Sequence, residues 1–98
     1  MDIREITNKM DQFVSEMGWY KKDSHKPQTI KNLAISLAIE ASEVLEHVQW
    51  KEQVDNKEEF AKELADVALY LLQIAKISNI DLEEAILTKL KENYSREW

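Results

Sequence analysis

Ile3, Ile6, Met10, Phe13, Val14 and Met17 recur at steps of three and four, the spacing of an amphipathic helix, and Gly18 follows as a terminator. This predicts a first helix over roughly residues 2 to 17. From Trp19 to Gln28 the periodicity stops, and Lys21, Lys22, Asp23, Ser24, His25 and Lys26 form a polar, mostly basic loop that ends near Pro27. A second helix can start near Thr29, with Ile30, Leu33, Ala34, Leu37, Ala41, Val44 and Val48 on one face, and run to about Trp50. Ile35 and Ile39 lie on its opposite side, so this helix carries two apolar faces and needs more than its nearest neighbour to bury it. Asp55 or Asn56 can cap a third helix, with Glu58 or Glu59 three positions later, followed by Phe60, Leu64, Val67, Ala68, Leu71 and Ala75. It should end around Ser78. Asp81 with Glu84 repeats the cap chemistry ahead of Leu82, Ala85, Ile86 and Leu90, a fourth helix that runs toward Arg96.

With 98 residues the chain reads as one domain, 1–98, with a small core. Apolar residues make up 44% of it, more than a thin core hides, so a second copy of the chain should cover part of them in a homo-oligomer. One glycine and one proline exclude glycine-rich phosphate loops and a turn-rich β-sandwich. The fold class is therefore all-α. A formal charge of −6 repels nucleic-acid backbones and anionic lipid, so neither nucleic acid nor membrane is an expected partner, and an anionic substrate would need bound cations. Cysteine is absent, which excludes disulfides and thiolate nucleophiles. The stretch Met1 to Glu5 lacks the pattern of a signal peptide, and the longest apolar run, Val67 to Leu72, is too short to span a bilayer. The expected location is the cytoplasm.

Glu40 and Glu43 stand three apart beside the core stripe of the second helix, and Glu63 and Asp66 repeat the arrangement on the third. Two such pairs converging across a bundle would repel and raise one another's pKa unless cations lay between them. Oxygen ligands of this hardness select magnesium or manganese. A di-iron bundle would want a Glu-x-x-His pair, and neither His25 nor His47 has a glutamate three residues before it. The plain alternative is solvated acid, because 19 acidic residues produce some such pairs by chance.

Glu40-Ala41-Ser42-Glu43, a spacer of 19 residues and Glu63-Leu64-Ala65-Asp66 together resemble the ExxE…ExxD signature of the MazG-like all-α nucleoside triphosphate pyrophosphohydrolases. Lys31-Asn32-Leu33-Ala34 before the first pair, Gln49-Trp50-Lys51 after it, Tyr70 four beyond Asp66, and Lys89 with Asn93 near the end extend the likeness. Phe13, Trp19 and His25 resemble the dCTP pyrophosphatase branch. His25 lies farther from Asn32 than in that branch, and Ser95-Arg96-Glu97-Trp98 departs from its more basic C-terminal pattern.

The resemblance implies a four-helix bundle, assembled as a dimer or dimer of dimers, with Mg2+ (or Mn2+) held by Glu40, Glu43, Glu63 and Asp66. It implies hydrolysis of a (d)NTP to the (d)NMP and pyrophosphate, in nucleotide-pool house-cleaning, by attack of water on phosphorus. One carboxylate takes up the proton, and Glu43 is the candidate for this catalytic role. Lys31 and Lys89 can contact phosphate oxygens, or be solvated surface cations. Asn32 and Asn93 match positions for sugar or phosphate hydrogen bonds. Trp19 and Trp50 can stack on a base or pack helix ends. Tyr70 can orient the sugar or simply belong to the core, and His25 can touch a base edge or lie in solvent. The rivals are a non-enzymatic helical oligomerisation or interaction module, indifferent to divalent ions, and a metal-dependent phosphohydrolase of another specificity.

Overall fold

The computed structural model describes residues 1–97 and contains α1 (Ile3–Glu16), α2 (Ile30–Glu46), α3 (Lys57–Ile77) and α4 (Leu82–Ser95), with no strand among the described residues. Each helix opens on a short polar side chain. Asp2, Thr29, Asn56 and Asp81 accept the backbone N–H of Glu5, Asn32, Glu59 and Glu84 at 2.9 to 3.2 Å, which satisfies one otherwise orphaned donor at each helix start. Of the two cap candidates before α3, Asn56 serves, while Asp55 pairs with Lys51.

The ends of α1 and α3 share one device. Gly18 at φ 76° lets Trp19 N–H reach the Val14 carbonyl and its own N–H reach Ser15. Asn79 at φ 56° does the same for Ile80 and Ala75, with its own N–H on Lys76. Both are paired 6→1 and 5→2 closures around a left-handed residue, and asparagine is among the few side chains that tolerate that backbone. α2 ends differently, at Glu46 rather than near Trp50. Beyond Glu46 the bonds tighten to His47 N–H on Val44, Val48 on Leu45 and Lys51 on Val48, a series of i→i−3 turns. The His47 ring packs edge-on against Phe60 at 5.4 Å, which ties this turn to the first turn of α3.

α3 is the central helix, packed against α2 and α1, while α4 leans on α1. Met10, Val14 and Leu72 form the core cluster, with Ile3, Trp19 and Leu82 packed around it. The inward face of α3 differs in part from the predicted one: Ala75 is buried as expected, but Leu72 and Gln73 are buried with it, whereas Leu64 and Leu71 are exposed. A helix with apolar residues on several sides can be oriented by its neighbours, and contact with α1 as well as α2 selects the Leu72–Gln73 side here. The second apolar face of α2, Ile35 and Ile39, is open, as are Ile86, Leu87 and Leu90 on α4. The chain exposes 7996 Å², against roughly 5,800 Å² for a compact monomer of this size. Its radius of gyration, 15.7 Å, likewise exceeds the roughly 13 Å of a compact domain of this length.

Candidate active site

The antiparallel pairing of α2 and α3 brings their acidic flanks together. Glu40, Glu43 and Glu63 each present a carboxylate oxygen, and these three oxygens all lie within 4.8 Å of one another. Glu40 Oε2 and Glu63 Oε2 are withdrawn from solvent and accept no hydrogen bond. Loss of solvation is the chief force pushing the Glu40 carboxyl up to about 7, and the Glu43 hydrogen bond and charge, then Asp66 and Glu63, add to it. Glu63 is also raised, first by a hydrogen bond with Glu43 and then by loss of solvation, with His47 pulling the other way. Asp66 thus lies close enough to repel both, although it stands outside the tight group of three. Like charges held this close without donors are costly, and a divalent cation is the group that would satisfy them. The all-oxygen donor set and the two orphaned oxygens fit such an ion.

Next to the cluster, a cavity of about 530 Å³ between α1 and α3 is walled by Ile6, Met10, Phe13, Leu69 and Tyr70, with Asp66 at its edge. A second, more polar cavity of about 400 Å³ is lined by Trp19, His25, Asn32 and Tyr70, four residues that the sequence marks for substrate. Trp19 and Tyr70 line both. Trp19 is set by an edge-on contact with Phe13 at 5.5 Å, and the Lys26 ammonium sits 4.8 Å from the Trp19 ring centre. The Asn32 amide donates to the Pro27 carbonyl at 3.0 Å, fixing the loop to the start of α2.

Other sequence candidates are not gathered there. Trp50 is 87% exposed in the turn after α2 and lines neither cavity, and Lys31 projects from the first turn of α2. Lys89, on α4, pairs with Glu92 at 3.5 Å. Asn93, also on α4, has its Oδ1 out of solvent with no hydrogen bond.

Gln73 is absent from the sequence candidates, yet it lines both cavities and is only 4% exposed. Its signal was an amide inside the apolar run of α3. It donates to Gln28 Oε1 at 2.6 Å, and it approaches the Tyr20 hydroxyl, which itself donates to Asp11 at 2.9 Å. Burial pushes the Tyr20 hydroxyl up to about 12, the Asp11 contact adds to this, and Gln73 opposes it.

The MazG-like family pattern matches residues 35–97, which include all four acids. The chain is 30% identical over 103 aligned positions to dCTP pyrophosphatase 1 of Mus musculus and 28% identical to that of Homo sapiens, covering 96% of this chain. It spans 58% of the length of these curated relatives. In three dimensions it is similar to a pyrophosphatase from Archaeoglobus fulgidus, with a TM-score of 0.77 and 34% identity over 92% of this chain and 86% of the other. From the paired acids on α2 and α3 through the C-terminal helix, the chain belongs to the MazG-like family.

Proposed function

We propose that this chain is a nucleotide pyrophosphohydrolase that converts a (d)NTP and water to the (d)NMP and pyrophosphate, in a single domain. The observation that carries the reading is the group of three glutamates, two of whose oxygens are buried without a partner beside cavities walled by Trp19 and Tyr70. The name carried by the mammalian relatives, dCTP pyrophosphatase 1, supports the reaction class.

Glu40, Glu43, Glu63 and Asp66 would hold magnesium, with manganese as a substitute. When bound, the ion neutralises the substrate's phosphate charge and the charge that develops on the leaving pyrophosphate. The oxygen of water bonds to the α-phosphorus, the bond from that phosphorus to the bridging oxygen breaks, and pyrophosphate departs with the electron pair. The proton lost by water passes to a carboxylate, for which Glu43, within reach of both neighbours, is the proposed base. Trp19 and Tyr70 hold the nucleoside, with His25 and Asn32 at its polar side. Lys31, Lys89, Asn93 and Trp50 complete the substrate contacts once a second copy is present.

The excess exposed area and the open apolar faces of α2 and α4 support a homodimer or a dimer of dimers. Among the described residues no helix is long and apolar enough to cross a membrane; the role proposed with this reaction is house-cleaning of a nucleotide pool. The test is pyrophosphate release from a panel of canonical and modified nucleoside triphosphates with magnesium, beside folded Glu40→Gln and Asp66→Asn proteins. Release by the wild type alone is expected. No release from any nucleotide, with manganese also tried, overturns the reading in favour of an interaction module, and release of orthophosphate instead points to another phosphohydrolase.

A further inference from the structure

Gln73 is the buried polar side chain of the core, and its orientation is determined by its neighbours. Gln28 donates through Nε2 to the Lys26 carbonyl, which can only accept, so Gln28 must turn Oε1 toward Gln73. Gln73 therefore offers Nε2 to Gln28, and its amide also reaches Tyr20, whose own proton is committed to Asp11. The carbonyl Oε1 of Gln73 is the capacity left over: it accepts from none of these neighbours, and it is not among the side-chain atoms shut off from solvent without a partner. Because Gln73 forms part of the wall of both cavities, that oxygen is an acceptor available to whatever enters them.

Its position along α3 says which part of a ligand arrives there. Glu63, Asp66, Tyr70 and Gln73 follow one another at steps of three and four, so they share a flank of the helix. Asp66, Tyr70 and Gln73 all line the larger cavity. Seven residues separate Asp66 from Gln73, roughly 10 Å of helical rise, which is about the reach of a nucleoside from its 5′-oxygen to the far edge of its base. A nucleotide whose phosphates lie at the acidic end thus brings the base edge to Gln73, with aromatic and aliphatic side chains against its faces.

We propose that Gln73 is a specificity-determining residue that accepts a hydrogen bond from an exocyclic amino group of the base, held in that orientation by Gln28. This rests on the nucleotide reading above. A carbonyl at the same place on the base would face the Gln73 carbonyl, oxygen to oxygen, with no proton between them, so amino bases are accepted and oxo bases rejected.

The probes are dCTP and dUTP, which share sugar and phosphates and differ at this group, compared by kcat/KM for pyrophosphate release. In parallel, binding of dCMP and dUMP without metal is followed through tryptophan fluorescence, since Trp19 lines the cavities. The wild type should favour the amino member by at least about tenfold in both measurements. Gln73→Leu, close in shape but without the acceptor, should bring each ratio to within about twofold, chiefly by weakening the amino ligand. If that protein fails to fold, Gln28→Leu, in a half-buried loop position, decides: freeing Gln73 to turn should lower the ratio severalfold. A wild type without preference for the amino member, or a preference that survives in folded Gln73→Leu or in Gln28→Leu, overturns the proposal. Failure of catalysis alone, with selective binding of dCMP intact, would instead count against the hydrolase reading.

Discussion

Glu40 on α2 and Glu63 on α3 face each other across the helix pair, each with one carboxylate oxygen shut off from water and bonded to nothing, and Glu43 lies within reach of both. Neither oxygen contributes to stability in this state. Their arrangement lowers stability in the chain by itself and would become favourable once positive charge enters, the behaviour expected of the proposed metal site rather than of a structural contact.

The first consequence is a pH dependence of the metal-free protein. Glu40 binds its proton up to about 7 when folded, against an ordinary value of 4.5, and Glu63 shifts the same way. Between those values the folded state holds more protons than the unfolded state, so stability falls as pH rises. The contribution is fully present below about 4.5 and is lost as pH climbs through 7. Thermal melts in chelator should show Tm declining over this window, with a shallower decline in Glu40→Gln, and added magnesium should raise Tm most at the alkaline end. Equal slopes in the two proteins would show that Glu40 is not the group responsible.

Removing one charge should separate stability from activity. Glu63→Gln relieves repulsion with Glu43 and Asp66 while subtracting one of the proposed metal ligands. Its metal-free Tm should equal or exceed that of the wild type, and its pyrophosphate release should fall by about 100-fold or more, a trade seen where sites are built from strained groups. A melt and a turnover assay on the same preparation check both halves. A lower Tm with unchanged turnover would reassign Glu63 to the framework.

The four helices and their caps were legible in the sequence because they are local: Thr29, Asn56 and Asp81 act on donors three residues away. The convergence of Glu40, Glu43 and Glu63 was legible from spacing combined with the family signature. The inward face of α3 was not. Its apolar residues occur on more than one side, and only the packing of α1 against it decides that Leu72 is buried and Leu71 exposed. The role of Gln73 is not legible for the same reason, because its partner Gln28 is 45 residues away. The earlier end of α2 at Glu46 coincides with His47 meeting Phe60, again a contact between elements.

The turn between α3 and α4 offers a test of backbone strain. Asn79 sits at φ 56°, a conformation that costs other side chains about 1 kcal/mol or more. Asn79→Gly should therefore hold or raise stability slightly, while Asn79→Ala should cost about 1 kcal/mol in denaturant unfolding. Because Asp81 begins α4 two residues later and pairs with Arg4 of α1 at 3.5 Å, loss of this turn should also loosen the α4–α1 contact. Faster amide exchange in α4 of Asn79→Ala would reveal it.

The exposed faces lead to a prediction about assembly. Ile35 and Ile39 line the side of α2 away from its core stripe, and half of Ile35 is exposed. If another copy covers this face, folding and association are linked, so Tm should rise with protein concentration. Ile35→Glu would place a charge in that contact about two helical turns from Glu43 and away from the buried Leu33. The variant should sediment as a smaller species than the wild type, melt at a temperature independent of concentration, and keep its helical signal at low temperature only if the single chain is stable. A wild type that sediments as one chain with a concentration-independent melt would mean that the excess exposed surface serves something other than self-association. An Ile35→Glu protein that assembles normally would move the contact to the open face of α4, around Leu87 and Leu90.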